Sequence, residues 1–193
     1  MEPIPDHEYA CHFKAGRLCL DFAATVGERW RRSFERLREP ADLGRWLVEA
    51  GLLDAAPAVT PRELESARSL REAIYRTAKL AGAGRPTADD LDEINRRATH
   101  CPLAPRLDAD ARVSWSAERP VDAALATLAR DAIDLVSGPL ATRVRECARP
   151  DCALLFVDTS RPGRRRWCSM GACGNRTKTA AYRRRVEAAK GDR

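Results

Sequence analysis

The sequence predicts an α+β fold: a mostly helical N-terminal module with short antiparallel strands, followed by a small C-terminal module with a hairpin and then a helix. Apolar residues recur at helical spacing in four segments before residue 139. Proline and glycine clusters separate these segments, and the strand–helix alternation of a parallel sheet is missing. With 193 residues, the chain is long enough for one medium domain and a small additional module.

The first elements are expected to be short. Residues 1–10 contain two prolines and few large apolar side chains, so we expect a loose arm. Residues 12–22 alternate apolar and polar side chains around Gly16, which predicts a pair of strands. Asp21 is then expected to cap a short helix over residues 22–28.

A clearer signal follows in the middle of the first module. Within residues 41–53, apolar side chains recur at helical spacing, and this helix is expected to end at Gly51. Thr60, Pro61 and Glu63 then provide a helix cap, a proline at the first helical position and a capping box. We expect this second helix to run to about Leu80. The residues expected to face the core are Leu64, Ala67, Leu70, Ile74 and Ala78.

Three more elements complete the first module. Thr87 is expected to begin a third helix, with Leu91 and Ile94 facing inward. Residues 103–117 predict a hairpin, because a polar turn separates two alternating segments. Pro120 begins a strongly amphipathic helix that is expected to end at the Gly-Pro pair near residue 139.

Charge divides the chain near residue 139. Residues 1–139 carry a net charge of −3, whereas residues 140–193 hold 14 basic and 5 acidic residues, a net charge of +9. We therefore place the domain boundary here and expect residues 1–139 to be a self-contained module. A segment in which acidic residues are this sparse indicates a polyanionic partner.

Composition argues against several classes of protein. No run of about 18 apolar residues is present, so no membrane partner is expected. The N-terminal residues lack the basic start and apolar centre of a signal peptide, which predicts a cytoplasmic location. In that compartment the seven cysteines are not expected to form disulfides. With three histidines and no arrangement typical of nucleophilic catalysis, we expect neither an enzyme nor catalytic residues.

Four cysteines lie close together near the C-terminus. Their spacing is C-x4-C, fifteen residues, then C-x4-C, which is typical of a metal site. Zn²⁺ prefers four thiolates in a closed structural site, with no coordination position left for a reactive water. An iron–sulfur cluster, a redox pair and four inert thiols are the alternatives. We expect one structural zinc ion held by Cys147, Cys152, Cys168 and Cys173, with Cys11, Cys19 and Cys101 outside the site.

The residues around these cysteines predict the shape of the second module. Residues 154–157 predict a strand and residues 161–164 a turn, and a helix is expected to begin near Cys173. A cysteine-bearing turn, a hairpin and a helix carrying the last ligand form a treble-clef arrangement. The positive end of that helix favours a thiolate.

Basic residues cluster around the same segment. Arginine binds phosphates and guanine edges because its planar guanidinium donates two parallel hydrogen bonds, and asparagine can pair with adenine edges. A contact with a protein or an acidic ligand and a solvated basic surface are the alternatives. The candidate nucleic-acid contacts are Arg164, Arg165, Arg166, Asn175, Arg176, Lys178, Arg183 and Arg184.

Residues 166–176, with the sequence RWCSMGACGNR, resemble the CGNR zinc-finger family, which is named for the tetrapeptide at 173–176. Phe156, Asp158 and Ser160 match the family's preceding Phe-x-Asp-x-Ser pattern. Residues 16–26, GRLCLDFAATV, resemble the ABATE domain, a stress-induced transcription regulator domain that usually accompanies this finger. ABATE domains often have asparagine where this chain has Ala24.

The resemblance implies a bacterial DNA-binding regulator with four cysteine ligands. Together with the residue patterns, it predicts a zinc-dependent transcription regulator whose partner is DNA. A small-molecule effector at the N-terminal module and a homodimer are left open. The alternative function is a small-molecule-binding module whose zinc finger mediates protein–protein contacts.

Overall fold

Six helices and three two-stranded antiparallel sheets make up the part of the chain that the structure, a computed structural model, describes: residues 4–107 and 109–179. The predicted α+β class is confirmed. The helices are α1 (Leu18–Ala23), α2 (Pro40–Glu49), α3 (Pro61–Lys79), α4 (Ala88–Ala98), α5 (Pro120–Ser137) and α6, which begins with a π turn (Met170–Gly174) and continues over residues 175–179. The strand pairs are β1 (Val26–Gly27) with β2 (Phe34–Glu35), β3 (Ala104–Leu107) with β4 (Val113–Ser116), and β5 (Val144–Glu146) with β6 (Leu155–Val157).

Helix α3 is the central element and begins as predicted. The Glu63 amide donates to the Thr60 hydroxyl at 3.2 Å, and the Thr60 amide donates to the Glu63 carboxylate at 2.8 Å. This capping box satisfies two backbone groups that a helix start leaves unpaired. All five residues of the predicted core stripe are buried. Helix α3 contacts α1, α2, α4 and α5, so its burial organises the first module.

The predicted strand pair over residues 12–22 is wrong, because residues 18–22 belong to α1 and residues 12–17 form no strand. The Asp21 carboxylate accepts hydrogen bonds from the amides of Lys14 at 2.8 Å and Ala15 at 2.9 Å. The Cys19 amide donates to the Asp131 carboxylate at 2.8 Å. Side chains thus satisfy backbone groups that a strand would pair. Residues 19–23 are all buried, so the alternation of apolar and polar residues in the sequence did not correspond to one buried and one exposed face.

The β1–β2 pair and the N-terminal arm also differ from expectation. Each strand of the pair has two residues, too few to show a period of two in the sequence. A side chain on Gly27 would collide with the Phe34 ring, which lies 2.2 Å from where its Cβ would be. Residues 6–9 form a 3-10 turn, and the Tyr9 ring meets the edge of Phe34 at 5.7 Å. The described part of the arm is therefore packed, not loose.

Helix α4 buries Ile94 as predicted, but Leu91 is 40% exposed. The buried face instead carries Asp90, whose carboxylate accepts a hydrogen bond from Arg76 of α3 at 2.9 Å. The amide of Asp90 donates to the capping hydroxyl of Thr87. An ion pair thus takes the position on the α3 interface that we expected Leu91 to fill.

The apolar core does not stop at residue 139. Val144 of β5 and the three residues of β6 are buried in the same cluster as the apolar residues of α1, α3 and α5. The Val157 amide donates to the carbonyl of Ala15 at 2.8 Å, which ties β6 to the segment before α1. The described residues of the two modules thus share one apolar core. The boundary near residue 139 remains a prediction.

No helix within the two described ranges has the length and apolarity needed to cross a membrane.

Replacing Leu70 by Ala is expected to lower the free energy of unfolding by about 2–5 kcal/mol, because the fully buried side chain leaves a cavity where α3 packs on its neighbours. Leu91→Ala is the matched control and is expected to cost roughly 0.5 kcal/mol or less. Urea unfolding of zinc-loaded protein, followed by circular dichroism, measures both. Equal losses would contradict the packing described here.

Candidate metal centre

The first cysteine pair lies in the turn between β5 and β6. Cys147 follows β5, and its amide donates to the carbonyl of Leu154 at 2.9 Å, which extends the strand ladder by one bond. Cys152 lies in the turn before β6. The amide of Ala148 donates to the carbonyl of Arg166 at 2.8 Å. This bond holds the approach to the second cysteine pair against the first.

The second pair is positioned by the start of α6. Ser169 caps this helix, and its hydroxyl accepts a hydrogen bond from the Ala172 amide at 3.3 Å. Cys168 precedes the cap and Cys173 lies in the first turn, as predicted for a helix that carries the last ligand. At Gly174 a Cβ would lie 3.0 Å from the Met170 sulfur, so glycine lets this turn close against its neighbours.

The four predicted ligands, Cys147, Cys152, Cys168 and Cys173, come together, with all their sulfur atoms within 4.8 Å of one another. The Cys152–Cys168 sulfur distance is 3.7 Å, Cys168–Cys173 is 3.5 Å and Cys173–Cys152 is 3.6 Å. A tetrahedron with Zn–S bonds of about 2.3 Å has sulfur–sulfur edges of about 3.8 Å. The distances also far exceed the about 2.0 Å of a disulfide bond. The donor set and its size therefore fit one structural zinc ion.

The close spacing of the four thiols makes their ionisation interdependent. Hydrogen bonds from Cys152 and the other two thiols hold the pKa of Cys147 well below its usual range. The pKa of Cys168 is raised, first because its thiol hydrogen-bonds to Cys147. Each thiolate disfavours ionisation of its neighbours by charge repulsion, so the four thiols do not all ionise together. A bound divalent cation removes this conflict by stabilising four thiolates at once.

Arg149 is a residue at the site that the sequence analysis missed. Its guanidinium Nη1 lies 3.8 Å from the Cys173 sulfur, close enough for a weak charged contact to a thiolate. Asp151 forms an ion pair with Arg149 and holds the guanidinium in place. Four thiolates and one Zn²⁺ leave a net charge of −2, which a cation beside the sulfur partly offsets. The Arg149-x-Asp151 pair between the first two ligands was the available signal.

The arginine turn before Cys168 is ordered by Asp158, which is buried. Its carboxylate accepts hydrogen bonds from the amide and hydroxyl of Ser160 at 2.9 and 2.6 Å, and from the amide of Arg165 at 2.9 Å. Burial raises the pKa of Asp158, but the hydrogen bonds from Ser160 and Arg165 and the charge of Arg143 together outweigh it, so the pKa is lowered and the carboxylate stays ionised. Gly163 takes a φ of +63°, which the turn requires.

The candidate contact residues separate into groups. Arg164 and Arg166 are exposed on the turn, and Asn175, Arg176 and Lys178 are exposed on α6. The Arg165 guanidinium instead donates to the carbonyls of Trp167 and Cys168 and lies 4.7 Å from the Phe156 ring centroid. The structure thus uses Arg165 inside the finger. Arg183 and Arg184 lie outside the described residues.

The other three cysteines lie outside the cluster. Cys19 is buried, Cys11 is partly buried and Cys101 is exposed. Burial raises the pKa of Cys11 to about 11, so it is a thiol at neutral pH. In the described part of the chain, the four-cysteine cluster is the one group of three or more side chains placed to hold a metal.

Comparison with known families agrees with this organisation. Residues 16–139 match the family model of ABATE, described as "Putative stress-induced transcription regulator". The chain belongs to the ABATE family. Residues 143–186 match the model of the CGNR zinc finger, which includes all four clustered cysteines. No curated protein matches the chain.

The descriptions of the matched families indicate the general class of this ABATE protein. One is described as a transcription regulator and the other as a zinc finger, and neither is described as an enzyme. The expected arrangement, an ABATE domain followed by a CGNR finger, is confirmed. The metal centre then has a structural role, because four protein sulfurs leave zinc no open coordination position.

Cys168→Ser is expected to reduce bound zinc from about one ion per chain to a small fraction, because a hydroxyl is a poor replacement for a thiolate in a four-sulfur site. Elemental analysis of freshly purified protein measures the metal. Cys101→Ser removes an exposed thiol outside the cluster and is expected to retain full zinc content. Metal-free wild-type protein, or equal zinc in both variants, would rule out this metal centre.

Arg149→Met is expected to weaken zinc binding by about tenfold, because outer residues that contact a ligand typically change metal affinity by this amount. Competition with a chromophoric chelator measures the dissociation constant. Asp151→Asn is the control, since it keeps the Arg149 guanidinium and an amide oxygen that can still accept a hydrogen bond from it, and we expect a smaller change. An unchanged affinity in Arg149→Met would show that this contact does not stabilise the thiolates.

Proposed function

We propose that this ABATE protein is a zinc-dependent transcription regulator that binds DNA through its CGNR finger. The observation that carries the proposal is an exposed basic surface built directly on the metal centre. This finger surface consists of Arg164 and Arg166 on the turn and Asn175, Arg176 and Lys178 on α6.

The metal centre would hold the two parts of the finger surface in a fixed relation. Cys168 immediately follows the arginine turn, and Cys173 lies in the first turn of α6, two residues before Asn175. Ligation of both cysteines to one ion ties the turn to the helix. DNA recognition requires such rigid placement, since phosphate contacts fix the register and base contacts follow from it.

Among the described residues, no carboxylate pairs with the cations of the finger surface, which are Arg164, Arg166, Arg176 and Lys178. The guanidinium of Arg166 lies 5.3 Å from the Trp167 ring centroid, which leaves its charge at the surface. When such arginines neutralise phosphates, the counterions condensed on the DNA are released, which favours association.

The proposed contact set differs from the sequence-based one at one residue. Arg165 is left out, because its guanidinium is bound to backbone carbonyls within the finger. Arg183 and Arg184 stay in the set on the sequence alone. The chemistry of the set suits phosphate binding by the turn and base-edge contacts by the exposed Asn175 and Arg176 of α6.

Zinc-loaded protein is expected to bind a random duplex of 20–30 base pairs with an affinity that falls linearly with salt on a log–log plot. The double variant Arg164→Met/Arg166→Met is expected to bind more weakly, with a slope smaller by roughly 1.8, because each neutralised phosphate contributes about 0.9. Fluorescence anisotropy at several salt concentrations measures both quantities.

Arg85→Met is the matched control, because it removes an exposed arginine in the first module, away from the finger surface. It is expected to keep the wild-type slope. If zinc-loaded wild-type protein retains no duplex at low salt, the DNA-binding function is wrong, and a protein partner for the finger becomes the better explanation.

A further inference from the structure

A cleft of about 610 Å³ separates the N-terminal module from the zinc finger. One wall is formed by the segment before α1 and the β1–β2 region, and the other by the turn at Cys152 and the start of α6. An ion at the four cysteines occupies only a few tens of Å³, roughly the volume of a water molecule. The space that the described residues enclose is therefore much larger than an ion needs, and its volume lies within the range of about 300–1,000 Å³ that is common for ligand sites between domains.

Cationic side chains outnumber carboxylates in the lining of the cleft, and Cys152, Cys168 and Cys173 of the metal centre, which carries a net charge of −2 with zinc bound, lie at one side of it. Three carboxylates line it, and two of them, Glu8 and Glu28, bind the same guanidinium, that of Arg32. The third, Asp151, is paired with Arg149. The cationic side chains of the lining number twice the carboxylates: Lys14, Arg31, Arg32, Arg36, Arg149 and Arg176.

Three of these cations, Lys14, Arg36 and Arg176, form no ion pair with another described residue. Lys14 and Arg36 belong to the N-terminal module, whereas Arg176 belongs to the finger, so cations without an ion pair face the cleft from both walls. A molecule that spans the cleft would meet positive charge at each end.

The Arg36 guanidinium is held at the cleft by uncharged groups. It donates to the carbonyls of Ala10 at 3.1 Å and Ala24 at 3.0 Å, and lies over the Phe34 ring. Carbonyl oxygens hold the group in place without neutralising it. Burial lowers the pKa of Arg36, and the more distant charges of Glu8 and Glu35 offset this effect only in part. Burial also lowers the pKa of the nearby His12, and the charges of Lys14 and Arg36 lower it further.

Apolar groups lie between the charges. Val26, Phe34 and Leu154 are part of the same lining and would contact the hydrocarbon part of a ligand. The cleft is concave and built from both modules, which suits a small molecule better than the convex backbone of a DNA duplex. Apolar walls with a few convergent charges are the usual composition of a small-molecule site.

We propose that this cleft binds a small organic anion with a carboxylate or phosphate group, held between Lys14 and Arg36 on one module and Arg176 on the finger. The bound anion links the module to the finger and occupies Arg176, one of the residues assigned to DNA. It is thus an effector of the regulator, and this role rests on the proposed function. Binding of the anion to the cleft does not depend on the proposed function.

The test uses the zinc-loaded full chain in a chloride buffer. Isothermal titration calorimetry with succinate and with glycerol 3-phosphate, each against potassium chloride of equal ionic strength, separates the carboxylate and phosphate classes. We expect saturable binding of at least one probe, weakened about tenfold or more in Lys14→Met, since a charge-assisted hydrogen bond is lost. Arg85→Met is the control and is expected to bind the probe as the wild type does.

DNA affinity measured without any probe distinguishes this proposal from the proposed function. Lys14→Met is expected to bind duplex DNA as tightly as the wild type, because Lys14 is not part of the finger surface. Absence of saturable binding to both probes, or equal binding by Lys14→Met and Arg85→Met, would overturn the effector site. A loss of DNA affinity in Lys14→Met without probe binding would also overturn it, and would assign the cleft to DNA.

Discussion

Four thiols placed within 4.8 Å of one another are the constraint on which the C-terminal part of this protein depends. Without a cation they compete for protons, and four negative charges at this spacing would repel one another strongly. Zinc bound to such a site stabilises a small module by about 10–16 kcal/mol, more than the whole stability of many domains. The site therefore decides whether the turn at Cys152, the arginine turn and α6 have a fixed arrangement.

The shared apolar core attaches the zinc finger to the ABATE domain. Phe156 is fully buried among apolar residues of the first module, and the Val157–Ala15 hydrogen bond joins β6 to the chain before α1. The finger is thus seated on the ABATE domain by β5 and β6, while the metal organises the parts that project from it. The cleft lies between this seated part of the finger and the segment before α1.

Much of the fold and of the site could be predicted from the sequence. The capping box at Thr60 and the cysteine spacing are local signals, and both gave the correct result. The strand prediction at residues 12–22 failed because Asp21 and Asp131 satisfy the backbone amides there through contacts that span up to 112 positions. The prediction that Leu91 faces inward failed because the buried face of α4 instead carries Asp90, which forms an ion pair with Arg76. The shared core, the cleft and the role of Arg149 depend on tertiary contacts, which no single segment reveals.

Hydrogen–deuterium exchange of the zinc-loaded and the chelator-treated full chain tests the central claim most directly. If the metal organises the finger on a preformed core, amides of residues 166–179 lose protection when zinc is removed, while those of α3 and α5 keep theirs. Unchanged protection at residues 166–179 without zinc would contradict the account, because the finger would then be folded by packing alone. Loss of protection throughout α3 and α5 would contradict it as well, since the core would then depend on the metal.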